Sequence, residues 1–150
     1  MTATEKKPDT ITKTIFIAAT PDTVWQYLTE KDKLKQWFHP AESDLEAGSE
    51  YALVKEDKPG AQRLCWGEVV SMTPPDSMVW TFTVGPLNGA MTTVTWTLEA
   101  YDEGTRVTLV HEGLADALGD SALGLIFALD PGWDEHFGRL RTAVREASTA

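Results

Sequence analysis

The spacing of apolar residues changes three times along this chain, and each change marks a different element. Ile11, Ile15 and Ile17 share one phase of a β-branched run at 11–19, which predicts a strand. At Thr20 the period becomes helical. Thr20 stands in a capping position, Pro21 suits a first helical residue, and Asp22 complements the positive end of the dipole. Val24, Trp25 and Leu28 form the stripe. A second short helix is predicted over 29–38, with Thr29 and Asp32 at capping-box spacing and Leu34, Trp37 and Phe38 on one face. Pro40 ends it.

The period then returns to two. Runs at 49–55, 63–72, 77–84, 91–100 and 105–113 are separated by "DKPG", "TPPD", "GPLNG" and "YDEG", and connections this short favour antiparallel hairpins. Val94, Trp96 and Leu98 alternate with threonines, and Val107 and Leu109 with Arg106 and Thr108. A further short strand at 41–45 would bring the total to six or seven.

From Trp133 the helical period resumes: Trp133, Phe137, Leu140, Val144 and Ala147 predict one apolar face. Within "DPGWDEHFGRL" (130–140), Asp130 reads as the N-cap and Pro131 as the first helical residue. Asp134 and Glu135 then sit near the positive dipole end. The acidic cluster is thereby given a structural task, and only His136, at the edge of the apolar face, keeps a functional reading. The preceding "ALGLIFAL" (122–129) is apolar on nearly every side, so it predicts a covered segment, a cavity gate or a dimer contact.

One strand, two short helices, a run of strands and a long last helix make an α+β chain. A single long helical face needs something broad to cover. The expectation is a curved antiparallel sheet of about six or seven strands wrapped around the C-terminal helix. Residues 10–150 form one domain behind a polar arm at 1–9.

Composition narrows the function. The net charge is −10 over 150 residues, which opposes binding to nucleic acid or to an anionic membrane. No uninterrupted apolar stretch is long enough to span a bilayer, and the polar start lacks a secretory h-region, so a cytoplasmic location is expected. Cys65 is the sole cysteine, which excludes an intrachain disulfide and a cysteine-built metal centre. No H-E-x-x-H, G-x-S-x-G, P-loop or G-x-G-x-x-G pattern occurs. Neither a metal nor a cofactor is expected, and no residue is assigned a catalytic role.

The candidate ligand-binding residues are aromatic walls with a few polar handles. The walls are Trp66, Trp80, Phe82, Trp96 and Trp133; the handles are Glu68, His111 and His136. His111 is in phase with Val107 and Leu109, and His136 can face it from the last helix. Both also read as core histidines that hydrogen-bond a neighbour. Glu68 shares a phase with Leu64, Trp66 and Val70; if Cys65, Gly67 and Val69 point inward instead, Glu68 is a solvated surface residue.

The ordered segments "IAATPDTVWQYLT", "LKQWF", "WGEVV" followed by "PP", "VTWTLEAYDEGTRVTLVHEG", and "GW" with "H" three residues on resemble the START-like, Bet v-like (SRPBCC) superfamily. More narrowly, they resemble its bacterial family related to the C-terminal domain of the activator of the heat-shock chaperone ATPase (AHSA-type). His39 and Ser49 stand where members often carry Gly. The resemblance implies a helix-grip fold with a hydrophobic cavity between sheet and helix, and hence non-catalytic binding of a small apolar or amphipathic molecule. Two alternatives come with it. One is a chaperone-associated stress protein, with chaperone or homodimer contacts. The other is a cyclase- or hydrolase-like enzyme using the cavity His and Glu residues.

Overall fold

The computed structural model describes residues 9–119 and 122–149. Six strands form one antiparallel sheet: β1 (Ile11–Ile17), β2 (Glu50–Val54), β3 (Arg63–Thr73), β4 (Ser77–Val84), β5 (Thr92–Tyr101) and β6 (Gly104–Glu112). Their order is β1-β6-β5-β4-β3-β2, so every pair but β1–β6 is a sequence-adjacent hairpin. The short helices α1 (Pro21–Thr29) and α2 (Lys31–Trp37) fill the long crossover between the two edge strands. The segment expected as a strand at 41–45 makes only an isolated bridge, Ala41 to Leu53, because the chain there is tied to α1 through Leu45 N–H to the Thr29 carbonyl.

The helix starts rest on different donors and acceptors from those the sequence suggested. Pro21 does open α1, and the Thr20 carbonyl accepts from Val24 N–H, but the Thr20 side chain makes no capping bond to the helix backbone. The Thr29 hydroxyl turns back to the Trp25 carbonyl, and the α2 start is capped across the chain, where Lys31 N–H meets Asp44 Oδ1 at 2.8 Å. A one-turn helix that periodicity did not register, α3 (Leu114–Leu118), is capped similarly by Asp9 Oδ2 on Ala115 N–H. The rest of the polar arm expected at 1–9 lies outside the described residues.

The largest correction concerns the last helix. Helix α4 runs Ala122–Thr149, with Pro131 inside it rather than at its first position. The apolar "ALGLIFAL" stretch is itself helical and leads directly into the amphipathic part. Asp130 therefore caps nothing. It and Asp134 hold Lys13 Nζ at 2.7 and 3.0 Å, fastening α4 to β1. Ala147, assigned to the apolar face, is exposed, whereas Trp133, Phe137, Leu140 and Val144 are buried.

These four side chains meet an aromatic layer on the sheet. Trp96 lies 5.9 Å from both Trp133 and Phe137, Trp80 lies 5.4 Å from Trp96, and Trp37 of α2 closes the end at 6.1 Å from Trp96. The grip between sheet and helix is thus largely filled by rings. Two of the indole N–H groups, on Trp80 and Trp96, have no acceptor among the described residues, a cost of about 1–3 kcal/mol each.

At Gly67 the β3–β4 ladder opens between the pairs Trp66–Thr83 and Val69–Trp80. Tyr51 Oη donates to the freed Thr81 carbonyl at 2.7 Å, and Glu68 N–H donates to Thr81 Oγ1 at 2.7 Å. A Cβ on residue 67 would stand 2.1 Å from that carbonyl oxygen, so glycine is required by close approach.

Candidate functional site

The expected site residues divide into three groups. Trp80, Trp96 and His111 are enclosed in the core at 0% exposure. Trp66 and Glu68 point the other way, because Cys65 and Val69 take the inward phase of β3. They line a wider depression of about 650 Å³ together with Glu42, Glu50 and Arg63. Glu50 and Glu68 are direct cross-strand partners, a like-charge pair sustained by exposure of both to water. Only Phe82, Trp133 and His136 reach a pocket between sheet and helix.

His111 shows what the core does with a histidine. The Trp133 indole, which can only donate, meets Nδ1 at 3.2 Å, so that nitrogen is the unprotonated one. Nε2–H then donates to Thr92 Oγ1 at 2.8 Å, and the Thr92 hydroxyl passes the chain on to the Phe82 carbonyl at 2.8 Å. Burial pushes the imidazole down to about 4. Neutral His111 therefore pins β6, β5, β4 and α4 together and has no free nitrogen to offer a substrate.

His136 occupies a different setting. It lines a pocket of about 200 Å³ bounded by Phe38 and His39 after α2, Leu64 and Cys65 of β3, and Phe82 and Val84 of β4. Ala128, Leu129, Gly132 and Trp133 complete it from α4. The His136 ring meets Phe38 edge-on at 4.5 Å and His39 edge-on at 5.2 Å. Burial, then the neighbouring His39, brings His136 down to about 4, and burial with the Arg139 charge lowers His39. Both are neutral at pH 7. Burial also pushes the Cys65 thiol up to about 12, which leaves it protonated and weakly nucleophilic.

His39 is the member that sequence reasoning left open; its place two residues after Trp37, at the end of α2, was the available signal. Among the described residues no three His, Cys, Asp or Glu side chains are placed to hold a metal ion. No described helix is long and apolar enough to cross a membrane. The pocket offers apolar walls, two uncharged imidazoles and a thiol, which suits recognition of an uncharged molecule better than the charged depression on the outer face does.

Comparison with solved structures gives the same fold. Protein MLL2253 from Mesorhizobium loti superposes with a TM-score of 0.72 at 19% identity, over 91% of this chain and 97% of that one. CalU16 from Micromonospora echinospora gives 0.71 at 20% identity, over 91% and 74%. The Aha1 dimer from Colwellia psychrerythraea gives 0.71 at 21% identity, over 90% and 95%. No curated protein matches significantly. The family described as Activator of Hsp90 ATPase homolog 1-like protein matches residues 18–145. With nearly the whole domain covered and the six-stranded sheet gripping α4, the chain belongs to that family, within the START-like helix-grip fold.

Proposed function

We propose that this chain binds a small, mainly apolar molecule in the pocket between the β3–β4 end of the sheet and α4. The supporting observation is the wall chemistry: Phe38, Leu64, Phe82, Val84, Leu129 and Trp133 line a half-open pocket of about 200 Å³, with uncharged His39 and His136 at the same site. A dry apolar cavity of roughly 150 Å³ accommodates benzene, so the ligand, or the part of it held here, has single-ring size. Native mass spectrometry on protein purified gently from its host tests this. An added mass lost on denaturation is the expected result. A clean apo mass, together with no response of the pocket resonances to small aromatic probes, would sink the reading.

A second reading, association through the surface with a chaperone or a second copy, is favoured by α4 itself. Leu123 and Phe127, one turn apart, are 58% and 70% exposed. The solved Colwellia relative is a dimer. Sedimentation of the wild type beside Leu123→Glu and Phe127→Glu tests the homodimer, which should dissociate in the variants. Wild type sedimenting as a monomer would remove it.

A further inference from the structure

Neutral His136 has one ring nitrogen committed and one that is not. Its Nδ1 lies 3.4 Å from the Trp37 carbonyl oxygen, which can only accept, so Nδ1 carries the proton. Nε2 is then a bare acceptor, and among the described residues nothing donates to it. This contrasts with His111, where both nitrogens are satisfied inside the protein. An unmatched acceptor beside apolar walls sets the chemistry of whatever enters.

Charge removes two classes of ligand. A carboxylate would bring lone pairs against the lone pair of Nε2 and would leave water for the same apolar walls. An ammonium could donate to Nε2 but would leave water for a wall of Phe, Leu, Val and Trp, near Arg139, whose positive charge already acts on both His39 and His136. A neutral donor meets neither penalty. We infer that the pocket selects an uncharged molecule of single-ring size carrying one hydroxyl or N–H, with that donor meeting Nε2 of His136. The inference rests on the pocket-binding reading above and names the ligand class for it.

The test uses a pair of probes of nearly equal shape, para-cresol and para-xylene, in which a hydroxyl replaces a methyl. Dissociation constants are measured by NMR titration of the full chain at pH 7, for wild type and for His136→Phe, which keeps a ring and removes the acceptor. The preference for cresol over xylene should fall about five-fold in the variant, the worth of one ordinary hydrogen bond. In the wild type the imidazole ¹⁵N resonance of His136 Nε2 should move with cresol and stay with xylene. Equal movement with both probes, or a preference unchanged in the variant, overturns the inference while leaving a binding pocket. Binding of neither probe overturns the pocket reading and the inference with it. Should His136→Phe not fold, the wild-type Nε2 shift decides alone.

Discussion

His111 and His136 are held to about the same pKa by the same cause, burial, yet they sit in regions of opposite character. Both ring nitrogens of His111 have a partner: the indole of Trp133 on one side, Thr92 and then the Phe82 carbonyl on the other. His136 is only half-buried, one of its nitrogens has no donor among the described residues, and the ring lines the pocket. A low pKa alone would have marked both as site residues. The hydrogen-bond inventory separates them, since a satisfied buried group is part of the scaffold and an unsatisfied one beside a cavity is available to a ligand.

The comparison can be broken most forcefully at His111. Replacing it by Leu leaves the buried Trp133 N–H without an acceptor and should cost about 3 kcal/mol in denaturant unfolding, with part recovered by adding Trp133→Phe. A loss under ~1 kcal/mol would mean that the chain through Thr92 is incidental.

Acid should come next in size. Unfolded histidine titrates near 6.5, and both folded groups lie at about 4. Between those values the unfolded chain binds more protons, so stability is complete above pH 6.5 and is lost as pH falls toward 4. For enclosed His111 the loss amounts to ~2–3 kcal/mol. Stability measured from pH 7 to 4 should fall less steeply in His111→Leu than in wild type; parallel curves would contradict the assignment.

The smallest effect is expected at the pocket. His136→Phe loses only a long bond to a carbonyl and keeps its ring contacts, so its unfolding free energy should change by less than ~1 kcal/mol. A loss comparable with that at His111 would make His136 a scaffold residue too.

Most of the fold was legible because its signals are periodic. The alternation through Val94, Trp96 and Leu98 located β5, and the Trp133–Val144 spacing located the buried face of α4. What periodicity could not carry was partner choice. Asp130 and Pro131 have the form of a helix start, but the side chain that settles Asp130 is Lys13, more than a hundred residues away. Phase was also ambiguous where both sides of a strand are apolar. For Trp66 and Glu68 periodicity left both phases of β3 open, and the burial of Cys65 and Val69 shows that the odd phase is the inner one. The pairing of His39 with His136 depends on how α2 meets α4, and no local pattern encodes that contact.

Pro131 carries a last consequence. Lacking an N–H, it leaves the Phe127 carbonyl without its helical partner, so the ladder of α4 has a seam in mid-course. The pocket lies astride it, with Ala128 and Leu129 on one side and Gly132, Trp133 and His136 on the other. In the language of amide exchange, the turns before the seam can open as a unit of their own while those after it stay closed on the sheet. A molecule touching both sides would splice the two lengths of helix, and protection of amides 123–130 would report its occupancy.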